Sequence, residues 1–404
     1  MRRTFRLHLL FAALVTLCVG FAGTLHASDS AQATSTLAER VRNLPPFDSP
    51  TTDGLYATIT FSKSFDKVNL DDDENLKLKG IAGFPKEVKV LATLQDKPAP
   101  LAIPLLGLTM KNKDELAKLI QAQLYESGCH VVSFDSIFRT DMGKRTMHGV
   151  AGCFEAEAEA VVKIIAAVLQ HEKLKGKVTE VRLLGASYGG TLACHIQRQL
   201  RAEGAPFRVS CALLLSPTVN MQTSARLLDE YYERDFGIYK HDRMKLLPLR
   251  GHEPVEAGRI VPFKPELMKA GIGYVFRDEL KKVVKENDKL YKLGVLKQAQ
   301  ESDAGKWTFQ QYVREMATPY WQSKGKVRDE NDFWRQGDLK ALLTEGASDV
   351  VTVIASDDPL NDPQEVEALK AALPGDKLIL LPHGGHLGYL GTAWFRALIQ
   401  SAFK

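Results

Sequence analysis

Gly185-Ala186-Ser187-Tyr188-Gly189 is the stretch of this sequence best suited to chemistry. It follows the apolar run Val181 to Leu184 and opens a helical pattern from Tyr188 to Leu200, so the order is strand, tight turn, helix. A serine hydroxyl is a weak nucleophile until a base takes its proton. A turn that lifts Oγ clear of its own backbone lets base and substrate both reach it. Small residues two positions to either side let such a turn close without side-chain clashes. The pattern alone is weak, because a chain of this length carries Gly-x-Ser-x-Gly by chance roughly one time in ten at average composition. The rest of the sequence must carry the inference.

A nucleophilic serine needs a histidine base and an acid to orient it, here in the chain order serine, acid, histidine. Val351 to Ala355 reads as a strand, and Ser356-Asp357-Asp358-Pro359 follows at its carboxyl end, where open α/β sheets build their sites. Leu378 to Leu381 reads as the next strand, followed by Pro382-His383-Gly384-Gly385-His386-Leu387-Gly388-Tyr389. The acid is Asp357 or Asp358. The glycine-flanked His386 stands where the histidine is required, and His383 reads as a polar residue at the strand's edge.

These segments need a frame. Further apolar runs lie at Val88 to Leu94, Leu101 to Leu106, His130 to Phe134 and Val209 to Leu215. Helical patterns between them cover Asp114 to Glu126 and Phe154 to Gln170. Short Val, Ile and Leu runs separated by amphipathic helices predict a mainly parallel sheet with helices on both faces. The alternation breaks between Val219 and Gly346, where long charged helical patterns run over Glu266 to Lys292 and Phe309 to Gln322. That segment holds 15 of the 33 aromatic residues, which predicts a helical cap with its own small core and some apolar surface turned to the site. The α/β core then covers 51–218 and 347–404, and the cap insertion 219–346.

The amino terminus reads as a secretory signal over 1–27, with Arg2, Arg3 and Arg6 ahead of an apolar stretch and cleavage after Ala27. Export to the periplasm or outside follows, and membrane attachment only if the leader is kept. Residues 28–50, with Pro45-Pro46, read as a tether. Setting the three leader arginines aside leaves 50 basic against 49 acidic residues, a balance that gives no footprint for nucleic acid. Cys129, Cys153, Cys194 and Cys211 read as buried free thiols. Asp135 reads as a loop-structuring carboxylate, His148 as a possible pocket residue, and Asp71 to Glu74 as a solvated turn. No spaced His/Cys cluster or phosphate-cradling glycine loop points to a metal or nucleotide cofactor.

Gly185 to Gly190, Asp357 to Pro359 and Gly384 to Tyr389 together resemble the α/β-hydrolase superfamily, and most of all its esterase and lipase-like serine hydrolases. The likeness covers the frame from about Leu78 to Val219 and from Asp349 onward. It implies an α/β-hydrolase fold with no cofactor, Ser187 as nucleophile, His386 as base and Asp358, directly before Pro359, as the acid. It also implies an oxyanion hole from the backbone N–H groups of Tyr188 and Leu108. Where the family often has His-Gly, this chain has Leu106-Gly107, so a side chain that commonly braces that loop is replaced. The implied substrate is a small-molecule ester with an apolar acyl group. A serine aminopeptidase-like peptidase and a non-catalytic binding protein on the same frame are the alternatives.

Overall fold

The apolar runs form one eight-stranded sheet, built from β1 (Glu74–Leu78), β2 (Val88–Thr93), β3 (Ala99–Leu105), β4 (His130–Ser133), β5 (Val178–Ala186), β6 (Val209–Leu215), β7 (Val350–Ala355) and β8 (Leu378–Leu381). This is a computed structural model that describes residues 35–49, 53–60, 73–236, 265–298, 301–345 and 349–404. Strand order is β1-β2-β4-β3-β5-β6-β7-β8. Strand β2 runs antiparallel to both neighbours, and every other pairing from β4 to β8 is parallel. The carboxyl ends of β3, β5, β7 and β8 therefore open on one edge of the sheet, which is where a site can be assembled.

Alternation along each strand sorts the core into two faces. Leu184, Leu213 and Val353 pack with α1 (Leu37–Arg40), α3 (Glu115–Glu126) and the last helix, Ala393–Phe403. Leu183, Leu214 and Ile354 face the opposite way, toward α5 (Phe154–Gln170), α6 (Tyr188–Gln199) and Pro363–Ala372. Strands buried on both faces are why their sequences read as unbroken apolar runs.

Between 219 and 345 the described residues are mostly helical, from α7 (Met221–Glu230) to the main element, α8 (Pro265–Tyr291). The single helix expected from Phe309 to Gln322 is a continuous run with a π-type segment at Val313–Ala317. Pro319, early in the following turn, has no N–H to donate, and a widened turn ahead of it accommodates that gap.

Three expectations change. β1 carries no apolar run, because it is an edge strand of sequence Glu-Asn-Leu-Lys-Leu that buries only Leu76 and Leu78. The expected acidic turn gives way to that strand: Glu74 opens it, Asp73 accepts a hydrogen bond from Thr93 Oγ1 at 2.6 Å, and Asp71 and Asp72 lie outside the described residues. Residues 36–49 are not a tether. Thr36 and Glu39 form a capping box on α1, Leu37 is fully buried, and its N–H reaches Asp349 Oδ1 at 2.7 Å. Phe47 meets Trp394 edge-on with ring centroids 5.4 Å apart. The leader lies outside the described residues. Cys129, Cys153, Cys194 and Cys211 are free and buried as expected, and burial pushes the Cys153 and Cys194 thiols up to about 12.

Truncating Leu37 to alanine is expected to cost about 2–5 kcal/mol, the range for deleting a buried leucine side chain. Urea unfolding of the Leu37→Ala variant measures it, and an unchanged midpoint would mean that this segment is a tether after all.

Candidate active site

The turn between β5 and α6 fixes the geometry. Ser187 sits at φ 54° and ψ −121°, outside the comfortable regions for a residue with a Cβ. Its N–H is held by Leu215 O at 2.8 Å on β6, and its carbonyl accepts from Gly190 N at 2.8 Å. The helix leaving the turn passes so close to β3 that a Cβ on Gly189 would stand 2.0 Å from Leu105 O. Glycine is required there by contact with backbone that cannot yield. Oγ is thus carried to the carboxyl edge of the sheet.

His386 comes from the loop after β8. Its Nε2 lies 2.8 Å from Ser187 Oγ, and its Nδ1 lies 2.9 Å from Asp358 Oδ2 and 3.2 Å from Oδ1. All three residues are buried, and Asp358 Oδ1 also accepts from Leu360 N at 2.9 Å. Asp357 takes another part: its Oδ1 accepts from Gly385 N at 2.8 Å and so shapes the histidine loop. His383 packs its ring on Phe47, 5.2 Å between centroids, and does not join the group.

The loop after β3 runs beside Ser187. A Cβ on Gly107 would stand 3.5 Å from Ser187 Cβ, and Leu108 lines both cavities that meet at Ser187. Met110 N–H closes the turn on Gly107 O at 3.1 Å, and Arg139 Nη1 donates to Thr109 O at 2.7 Å. These contacts brace the loop in the place of the absent histidine. Asp135 does structure the neighbouring loop, since its Oδ1 accepts from Asn112 N at 2.9 Å. Tyr188, as the first residue of α6, has an N–H with no acceptor inside the helix.

Three contributors carry no local signal in the sequence. Thr58, on α2 (Gly54–Thr60), accepts from His386 N at 2.8 Å and donates to Gly54 O at 2.7 Å. Gly385, at φ 57°, lets the histidine loop lie on this helix, because a Cβ there would stand 2.0 Å from Gly54 O. Ser216, at φ 42°, accepts from Leu387 N at 3.2 Å on the other side.

The third contributor is Glu157 on α5, fully buried and bonded to Tyr188 at the Ser187 turn. It accepts from Tyr188 OH at 2.6 Å and from Gly152 N at 2.7 Å. Burial pushes its carboxyl up to about 7 against those two hydrogen bonds. His148 is not a pocket residue. It is buried with Nε2 3.9 Å from Glu157 Oε1, bonded through Nδ1 to Thr146 Oγ1, and burial lowers it to about 4. The backbone just before Gly152 is taken up by the helical insertion: Tyr291 OH accepts from Gly149 N, Trp321 Nε1 donates to Val150 O, and Tyr312 OH donates to Ala151 O.

Residues 113–398 match the profile described as "Alpha/beta hydrolase family". The chain belongs to that family. No curated protein matches this alpha/beta hydrolase in sequence. Among solved structures it is similar to the Pyrococcus furiosus esterase Pf2001, at 11% identity, covering 86% of this chain and 89% of that one, with a TM-score of 0.42. It is similar also to the carboxylesterase CesB (YbfK) from Bacillus subtilis, at 14% identity, 85% and 94% coverage, and a TM-score of 0.43. A third is the hyperthermophilic esterase from Pyrobaculum calidifontis, at 14% identity, 86% and 89% coverage, and a TM-score of 0.43.

Glu157 makes stability depend on pH. Its folded value of about 7 lies above the ordinary 4.5, so its contribution is full below 4.5 and is lost as pH rises through 7. Wild type is therefore expected to lose stability relative to Glu157→Gln between about pH 4.5 and pH 7, by up to about 1.4 kcal/mol per pH unit. Urea unfolding of both proteins across that range reads the difference, and a constant gap would place the Glu157 titration elsewhere.

Proposed function

We propose that this alpha/beta hydrolase is an exported serine hydrolase that cleaves a carboxylic ester through Ser187, His386 and Asp358. The observation that carries the reading is the 2.8 Å approach of His386 Nε2 to Ser187 Oγ, with Asp358 behind the same imidazole. Ser187 Oγ attacks the carbonyl carbon while His386 Nε2 takes its proton, and Asp358 accepts from Nδ1–H and stabilises the imidazolium. The carbonyl oxygen gains charge and is held by the N–H groups of Tyr188 and Leu108. As the tetrahedral intermediate collapses, the carbon–oxygen bond to the alcohol breaks and His386 protonates the departing oxygen. Water then loses a proton to His386, attacks the acyl carbon on Ser187 and releases the acid. The serine recovers its proton from the imidazolium.

The described cavity lining is apolar or hydroxyl-bearing apart from His386, which suits a neutral ester. An aminopeptidase substrate brings an ammonium group that calls for a carboxylate beside it. The helices of 219–346 act as a cap that supplies much of this lining. Export is proposed from the leader pattern of the sequence.

Purified protein is expected to be labelled by a fluorophosphonate probe, and Ser187→Ala not. Asp358→Asn is expected to lower kcat for p-nitrophenyl esters by about 10³-fold or more, with stability little changed. No labelling of the wild type would overturn the enzyme reading, and cleavage of aminoacyl anilides without ester turnover would turn it toward a peptidase.

A further inference from the structure

Ser187 stands where two unequal cavities meet. The inner one, about 60 Å³, is lined by Leu108, Tyr188, Leu228, Phe276, Phe309 and Trp334. The outer one, about 280 Å³, lies between α2 and α8 and is lined by Ile59, Met110, Ile272, Val275, His386 and Leu387. Val275 is one of the few large apolar residues left exposed.

The chemistry decides which part of an ester enters which cavity. The proton carried by His386 Nε2 goes to the departing alcohol oxygen, so that oxygen must stand on the side where the imidazole is presented. His386 lines the outer cavity and does not line the inner one. The alcohol portion therefore projects outward, and the acyl chain, on the other side of the attacked carbon, points inward. We propose that the enzyme takes esters of a short acyl group with a larger apolar alcohol; this rests on the ester-hydrolase reading above.

Size sets the limit on the acyl side. A cavity of about 150 Å³ is what holds a benzene ring, so the inner space takes a chain of only a few carbons. Three of its wall residues are held by hydrogen bonds. Tyr312 OH donates to Ala151 O at 2.7 Å and accepts from Asn287 Nδ2 at 2.9 Å. Trp334 Nε1 donates to Glu330 at 3.1 Å. Phe309 N–H is held at 2.8 Å by Asp229, itself ion-paired with the buried Arg277. Forcing extra methylenes into such a wall meets close-packed side chains. The outer cavity has no such limit, and each methylene it buries is worth about fourfold in binding. The apolar acyl group implied by the sequence is thereby narrowed to a short one, and the apolar bulk belongs to the alcohol.

Hexyl acetate and ethyl hexanoate are isomers with alcohols of similar basicity, so they differ mainly in which side carries the chain. With full-length protein, kcat/KM for hexyl acetate is expected to exceed that for ethyl hexanoate by at least about tenfold. Leu228→Ala, which deepens the inner cavity, is expected to narrow the ratio. Phe309→Ala should do the same, and fluorophosphonate labelling checks that each variant is folded. Equal rates, or a preference for ethyl hexanoate, would overturn the proposal while leaving the hydrolase reading intact. Absence of any Ser187-dependent ester cleavage would remove the hydrolase reading, and the proposal with it.

Discussion

The strained backbone at Ser187 governs the site. Holding Ser187 at φ 54° and ψ −121° costs of the order of 1–3 kcal/mol, and the turn persists only because its surroundings over-determine it. The sheet supplies that support from two sides. Leu215 on β6 takes the Ser187 N–H, while Gly189 rides against the backbone of β3 at a distance no other residue permits. Strand order places β5 between those two strands, so the turn is held by both neighbours of its own strand. Registry within the sheet and direction of the hydroxyl are thus one constraint.

From there the polar contacts run outward in two directions. Toward the histidine, Asp357, Thr58 and Ser216 each take a backbone N–H of the loop around His386, so the imidazole is aimed by its loop as much as by Asp358. Toward the insertion, residues 149–152 each hand a backbone group to a side chain, three of them to helices between 265 and 323 and the last to Glu157. Glu157 then meets Tyr188 OH. Buried polar groups this well satisfied specify one arrangement, at the cost of a carboxyl that resists ionising.

The frame was legible in the sequence wherever strands are buried on both faces, as with Val209–Leu215 and Val350–Ala355, because such strands leave uninterrupted apolar runs. β1 escaped because an edge strand buries one face only. The segment around Leu37 escaped because its Pro-rich surroundings outweighed a four-residue helix that is stabilised by distant packing. At the site, Ser187 and His386 stood out through their glycines. Asp357 and Asp358 are adjacent and chemically alike, so their separate partners emerge only from the way the chain turns between them. Thr58 had no such mark, since its relation to His386 exists only in three dimensions.

That last contact spans 328 positions of sequence, from a helix near the start of the described chain to a loop near its end. During synthesis Ser187 emerges about two hundred residues ahead of His386, whose backbone N–H then meets Thr58 on α2, the earliest of the three to be made. Bringing α2 onto the His386 loop is a closure of high contact order, which is among the slow events of folding. A partly made chain therefore holds Ser187 without the imidazole that stands 2.8 Å from its Oγ in the folded protein.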